Sequence, residues 1–132
     1  MFRTMLVEDS TSFRQLVKND LQDEFPFMEI IEAGDGVEAF QKIEAHPPNL
    51  IFMDISLPGE NGLEITRKIK AEYPGVLIII LTSHDLPEYR EEAIRHKADY
   101  FFSKGAIVNN GIFALVKSII LKRGFNEDGS DN

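Results

Sequence analysis

The sequence predicts an α/β fold in which a doubly wound parallel sheet is covered by helices on both faces. Short runs rich in β-branched and aromatic residues alternate with longer runs whose apolar residues recur every three or four positions. Several of the short runs are apolar throughout, as strands buried on both faces are. A chain of 132 residues is long enough to bury one hydrophobic core, so we expect one domain.

Five short runs are the candidate strands. They are Thr4 to Val7, Met28 to Ala33, Leu50 to Met53, Val76 to Leu81 and Asp99 to Phe102. Three stretches are apolar without alternation, namely Leu50 to Met53, Val76 to Leu81 and Tyr100 to Phe102. Because a helical segment separates each strand from the next, we expect the strands to be parallel.

The longer runs are the candidate helices. They are about Thr11 to Glu24, Gly36 to Ala45, a third from near Asn61, a fourth from near Asp85, and a fifth from about Ile107 to Lys122. Ser10 or Thr11 can cap the first helix, and Pro47 and Pro48 follow the second. Pro87 is tolerated in the first turn of the fourth helix.

The domain is predicted to span residues 1–123, followed by a polar, acidic tail at 124–132 that is either a frayed end or the stub of a linker. The net charge of −8 disfavours nucleic acid as a partner of this chain alone, because phosphate neutralisation needs clustered basic side chains. There is no cysteine and no apolar run long enough to span a membrane. We therefore expect a soluble, cytoplasmic protein without membrane contact.

Polar residues follow four of the predicted strands at the point where each strand ends. Glu8 and Asp9 follow the first strand, Asp54 the third, Thr82 the fourth, and Lys104 stands just past the fifth. Ligands of open parallel sheets bind at the carboxyl ends of the strands. Each of these residues alone is more often a helix cap, a turn former or a solvated side chain. Their joint occurrence at one edge of the sheet indicates a functional site.

Three carboxylates in one place need a cation, because each pair repels by roughly 4 kcal/mol near 4 Å at an effective dielectric of about 20. Oxygen ligands favour a hard divalent ion, here Mg²⁺, with Mn²⁺ as a substitute. A carboxylate beside such an ion can also be a nucleophile that forms an aspartyl phosphate. Lys104 and Thr82 would then supply donors to the phosphoryl oxygens.

Four stretches of the chain resemble the response-regulator receiver domain of two-component signal transduction, within the CheY-like superfamily. They are Leu6 to Ser10, Leu50 to Gly62, Ile79 to Ser83 and Tyr100 to Gly105. The resemblance runs from about Arg3 to Arg123, and its most specific part is the segment from Asp54 through Pro58 to Gly62. It implies a flavodoxin-like (βα)5 sandwich with strand order 2-1-3-4-5.

The resemblance also implies the roles of the site residues. Asp54 would be the phosphoacceptor and Asp9 a direct ligand of Mg²⁺, with Glu8 acting through a metal-bound water. Ser56 would contribute its backbone carbonyl to the metal. The phosphoryl donor would be a phosphohistidine on a sensor histidine kinase or a phosphotransfer protein.

Three further residues take roles from the same resemblance. Lys104 would pair with the phosphoryl group, Thr82 would donate a hydrogen bond to it, and Phe101 would be the switch ring that turns inward when Thr82 moves. The face from about Asp85 to Lys122, made by the fourth helix, the fifth strand and the fifth helix, would then bind an output domain, a partner protein or a second copy of the chain. Such a domain is a phosphoacceptor and not an enzyme with multiple turnover.

Four alternatives remain open. A flavodoxin-like cofactor binder would place a flavin phosphate beside Glu8 and Asp9, where two carboxylates are unfavourable. A Mg²⁺-dependent phosphohydrolase with an Asp nucleophile would carry Asp two positions after Asp54, where Ser56 stands. The third alternative is a receiver-like interaction domain that works without phosphorylation. The fourth is an excised receiver of a DNA-binding transcriptional regulator.

Overall fold

The computed structural model describes residues 1–108 and 111–131, with five strands in one sheet. The strands are β1 (Arg3–Val7), β2 (Glu29–Ala33), β3 (Leu50–Met53), β4 (Leu77–Thr82) and β5 (Tyr100–Ser103). Every neighbouring pair is parallel, and the order is β2-β1-β3-β4-β5. The predicted α/β class, parallel sheet and strand order are confirmed.

One helix lies between each strand and the next, and further helical residues follow β5. They are α1 (Thr11–Glu24), α2 (Gly36–Ala45), α3 (Gly62–Glu72), α4 (Pro87–Arg95), α5 (Gly105–Val108) and α6 (Gly111–Lys122). The first two have the predicted bounds. Ser10, Asp35 and Asn61 cap the first three helices, because each side chain accepts a hydrogen bond from the backbone N–H three residues later. None of the helices in the described ranges is long and apolar enough to cross a membrane.

The predicted fifth helix, from about Ile107 to Lys122, corresponds to α5 and α6. The described residues of that range are all helical, and the helical residues begin at Gly105, two positions earlier than predicted. Asn109 and Asn110 lie outside the described residues.

Two apolar clusters lie on opposite faces of the sheet, and alternate residues of β3 enter each. Phe52 packs in the cluster that contains Leu21 of α1 and Val116 of α6. Met53, the next residue, packs in the cluster that contains Ile43 of α2 and Ile69 of α3. Because both faces of β3 are buried in this way, its four residues are apolar without alternation.

The last described residues fold back onto the amino end of the sheet. The ring of Phe125 meets the buried ring of Phe2 edge to face, with centroids 5.5 Å apart. Phe125 also forms an isolated antiparallel bridge with Asp131. Gly129 has a φ of +84°, and a Cβ there would lie 2.1 Å from the ring of Phe27, so this close turn needs glycine. The domain boundary at residue 123 stays a prediction.

Candidate metal centre

The pairing of β1 with β3 brings two acidic residues to one edge of the sheet. Val7 and Met53 are partners in the register of the two strands, so Glu8 and Asp54 follow them at neighbouring strand ends. The Asp54 N–H continues the pairing by donating to the carbonyl of Val7 at 3.0 Å. One carboxylate oxygen from each of Glu8, Asp9 and Asp54 lies within 4.8 Å of the others. The predicted convergence of these three side chains is therefore present.

The three carboxylates differ in burial. Glu8 and Asp54 are each 5 % exposed, whereas Asp9 is exposed to solvent. Burial raises the pKa of Glu8, because its ionised form loses hydration, and the negative charge of Asp54 raises it further. Hydrogen bonds from Lys104 and from the Ser10 N–H offset part of this rise in pKa. The protein thus holds negative charge at a place where it is only partly compensated.

Lys104 supplies the cation nearest to these carboxylates. Its Nζ lies 2.7 Å from Oε1 of Glu8 and 3.5 Å from Oδ2 of Asp54. The same ammonium lies 4.5 Å from the ring centroid of Phe13 on α1. Lys104 therefore shares one positive charge between two buried carboxylates, and it is already placed beside Asp54.

Gly62 fixes the loop that follows Asp54. A Cβ at this position would lie 1.8 Å from the backbone carbonyl oxygen of Asp54, a distance that real atoms do not reach. The Gly62 N–H donates to the carbonyl of Ile55 at 2.9 Å, and Asn61 caps α3 directly before it. The residues from Asp54 to Gly62 thus form a tight loop that only glycine can close at this point.

Arg14 is a residue of this region that the sequence analysis missed. Its Nη1 donates to the backbone carbonyl of Glu8, and its Nε donates to Oε1 of Glu32 at 3.0 Å. Lys18, one turn further along α1, donates to the other oxygen of Glu32 at 3.1 Å. The spacing of Arg14 and Lys18 placed both on one helix face, but nothing in the sequence identified Glu32 as their partner.

Thr82, Phe101 and Ser56 occupy positions around the acidic cluster. Thr82 is fully buried at the end of β4, where its Oγ1 accepts from the His84 N–H at 3.0 Å and its carbonyl accepts from the Lys104 N–H at 2.9 Å. Phe101 is half-buried, and the Arg90 guanidinium lies 4.8 Å from its ring centroid. Ser56 is exposed in the loop between β3 and α3. The functional roles of these three residues stay predictions.

The donor set fits a hard divalent ion. Glu8, Asp9 and Asp54 offer three carboxylate oxygens, which is the ligand chemistry that Mg²⁺ and Mn²⁺ prefer. An ion about 2.1 Å from each ligand holds its oxygens at most about 4.2 Å apart. A small rotation of the side chains, which lie within 4.8 Å of one another, reaches that separation. An ion there would relieve the repulsion between the buried carboxylates of Glu8 and Asp54.

Comparison with known proteins points to one family. The family model of the response regulator receiver domain matches residues 4–115. The chemotaxis protein CheY of Halobacterium salinarum is 35 % identical over 102 residues, which are 77 % of this chain and 83 % of that protein. The oxygen regulatory protein NreC of Staphylococcus carnosus is 43 % identical over 81 residues, which are 60 % of this chain and 37 % of NreC. The matched part of this chain is therefore less than half as long as NreC.

Solved structures have the same fold. A CheY-like receiver domain protein from Methanospirillum hungatei JF-1 superposes with a TM-score of 0.82 at 25 % identity, covering 93 % of this chain and 97 % of that one. A LuxR-family DNA-binding response regulator from Staphylococcus aureus gives 0.77 at 28 % identity, with coverages of 92 % and 98 %. A response regulator solved in its Mn(2+)-bound form gives 0.74 at 25 % identity, with coverages of 90 % and 91 %.

Proposed function

The chain belongs to the response regulator receiver domain family, and on that premise we propose that Asp54 accepts a phosphoryl group in a reaction that requires Mg²⁺. One observation carries the proposal. The Asp54 carboxylate is buried beside Glu8 and Asp9, with the Lys104 ammonium 3.5 Å away. A carboxylate in such a setting needs a cation, and it is a nucleophile that can reach a phosphoryl group at the edge of the sheet.

The chemical step is a displacement at phosphorus. A carboxylate oxygen of Asp54 forms the new P–O bond while the P–N bond of a phosphohistidine breaks, and the released imidazole takes up a proton. Lys104 pairs with the phosphoryl oxygens, moving from its contact with Glu8 at 2.7 Å. Glu8, Asp9, Asp54 and the backbone carbonyl of Ser56 would hold the divalent ion, which would neutralise the negative charge on the reacting oxygens.

Thr82 and Phe101 transmit the change. The hydroxyl of Thr82 accepts from the His84 N–H, so its own proton is free to be donated to a phosphoryl oxygen. Phosphorylation adds a charge of about −1.5 to −2, which draws Thr82 inward and opens space for the ring of Phe101. The two-state surface is the face of α4, β5 and α6, where Leu86, Ile94 and Tyr100 are exposed apolar side chains.

We propose that the donor is a sensor histidine kinase or a phosphotransfer protein, and that the α4, β5 and α6 face binds an output domain, a partner protein or a second copy of the chain. The similarity to a LuxR-family DNA-binding response regulator supports an output that acts on DNA. A second candidate function is therefore the receiver part of a longer DNA-binding regulator. In either case the chain is labelled once per phosphoryl transfer and does not turn over a separate substrate.

The test is to incubate the protein with Mg²⁺ and acetyl phosphate and to follow its intact mass. We expect one phosphoryl group per chain, lost in Asp54→Ala and retained in Asp23→Ala, which changes an exposed residue of α1. Beryllofluoride should shift the amide resonances from Thr82 to Phe101. Labelling that survives in Asp54→Ala would refute the assignment, and continuous release of phosphate from esters would favour a phosphohydrolase.

A further inference from the structure

An aromatic ring lies against the ammonium that serves the proposed phosphoryl site. Phe13, in the first turn of α1, has its ring centroid 4.5 Å from Nζ of Lys104. A cation at this distance over a ring face is attracted by the negative face of the π system. The ammonium keeps its contacts with Glu8 and Asp54 at the same time. The ring and the two carboxylates therefore contact the Lys104 ammonium at the same time. The contact with the ring leaves the ammonium beside Asp54.

The ring is fixed, whereas the lysine stem is flexible. The Phe13 N–H donates to Oγ of Ser10 at the cap of α1, and the side chain packs against the cluster that contains Leu6 and Val17. A lysine side chain has four rotatable bonds, whereas the Lys104 backbone is held at both its N–H, which donates to the Thr82 carbonyl, and its carbonyl, which accepts from the Ile107 N–H. The position of Nζ therefore depends on the groups that it contacts. Among Glu8, Asp54 and Phe13, only the Phe13 ring carries no charge.

We propose that Phe13 is a positioning residue for Lys104, holding the ammonium where it meets the phosphoryl oxygens on Asp54; this inference rests on the proposed function. The absence of charge on the ring is what suits it to the task. When a divalent ion neutralises Glu8 and Asp54, their attraction for Lys104 weakens, but the attraction of the ring does not. A carboxylate in place of the ring would repel the incoming phosphoryl group, and an aliphatic side chain would leave the ammonium free to turn into solvent.

The contact can be tested in the metal-free protein by the chemical shifts of the Lys104 side-chain protons. Protons over a ring face are shifted upfield, so we expect upfield Hε resonances in the wild type and in Phe13→Tyr. Phe13→Leu should lose the shift. Phe113→Leu is the matched control, because Phe113 packs against the same apolar cluster through Phe25. An unshifted Lys104 Hε resonance in the wild type would overturn the inference. This outcome does not depend on whether the protein can be phosphorylated.

The consequence can be tested by the rate of labelling with acetyl phosphate at saturating Mg²⁺. We expect Phe13→Leu to slow labelling by about 3- to 10-fold, Phe13→Tyr to restore it, and Phe113→Leu to change it little. In a Lys104→Met background, Phe13→Leu should cause no further slowing, because the coupled partner is gone. Equal slowing in both backgrounds would overturn the inference and leave Phe13 with a packing role alone. Absence of labelling in the wild type would overturn the proposed function as well, whereas labelling that Phe13→Leu leaves unchanged would overturn only this inference.

Discussion

Two glutamates on neighbouring strands have opposite electrostatic surroundings. Glu8, at the end of β1, is 5 % exposed and shares one ammonium, that of Lys104, with Asp54. The carboxylate of Glu32, in β2, pairs with two cations, since Arg14 and Lys18 each bind one of its oxygens. Burial raises the pKa of Glu8, and Lys104 together with the Ser10 N–H only partly offsets that effect. For Glu32 burial is the largest single effect and also raises the pKa, but the hydrogen bonds and charges of Lys18 and Arg14 together outweigh it, so the pKa of Glu32 is lowered.

The difference shows how a cation site can be built by leaving charge uncompensated. Arg14 lies within reach of both glutamates, yet its side chain binds the carboxylate of Glu32 and only the backbone carbonyl of Glu8. The guanidinium therefore fixes the backbone of Glu8 without neutralising the Glu8 carboxylate. Glu32 contributes to the stability of the fold, whereas Glu8 keeps a negative charge that an added ion can bind.

The largest effect is expected from Gly62→Ala, which disturbs the acidic cluster without changing any charge. The added Cβ would lie 1.8 Å from the Asp54 carbonyl oxygen, so the loop must move, and we expect the free energy of unfolding to fall by about 3 kcal/mol. Mg²⁺ affinity should fall as well, since the ligands separate. Denaturant unfolding and Mg²⁺ titration measure the two effects.

Gly75→Ala is the matched control for that substitution, because a Cβ there has open space around it. Its free energy of unfolding should stay within about 0.5 kcal/mol of the wild-type value. If Gly62→Ala were as stable as this control and bound Mg²⁺ normally, charge alone and not geometry would distinguish the acidic cluster from the surroundings of Glu32.

The next largest effect is expected on Mg²⁺ binding, where Glu8→Gln is compared with Glu32→Gln. Removal of the Glu8 charge should weaken Mg²⁺ binding by about 10-fold or more, while Glu32→Gln should change the affinity by less than about two-fold because its charge is already paired. Isothermal titration of both variants gives the two affinities. Equal losses of affinity would mean that Arg14 couples the two glutamates into one site, and the comparison would fail.

The smallest effect is expected on stability, from Glu32→Gln in the absence of metal. The Glu32 side chain is 31 % exposed, so solvent screens its ion pairs and we expect a loss of about 0.5–1 kcal/mol at pH 7. A lowered pKa in the folded state stabilises the protein above the unfolded value of 4.5, and this contribution disappears as the pH falls through the folded pKa. The difference between wild type and variant should therefore vanish in acid.

Exposed Glu44 provides the control for that pH series, and Glu44→Gln should follow the wild-type curve. The raised pKa of Glu8 affects the pH dependence of stability in the opposite direction. Its contribution to the free energy of unfolding is present below the ordinary value of 4.5 and is lost as the pH rises through the folded pKa. A Glu32→Gln deficit that persisted at the lowest pH would show that packing, not charge, carries the contribution of Glu32.

The sequence predicted the sheet and the convergence of Glu8, Asp9, Asp54 and Lys104 because both depend on local patterns. An apolar run identifies a buried strand, and the residue after it must lie at the carboxyl edge of a parallel sheet. Contacts between distant side chains carry no such pattern. The ring of Phe13 under Lys104 depends on the position of α1 across the sheet.

The steric need for Gly62 could not be predicted for the same reason. It depends on how closely α3 approaches the Asp54 carbonyl, and no property of the glycine itself indicates that approach.

The contact between Phe2 and Phe125 has a consequence for the order of folding. It joins residues near opposite ends of the described chain, with ring centroids 5.5 Å apart. Closing so long a loop is entropically expensive until the intervening strands have paired. This contact should therefore form late, with little influence on the folding rate, so that Phe125→Leu would accelerate unfolding while leaving refolding nearly unchanged.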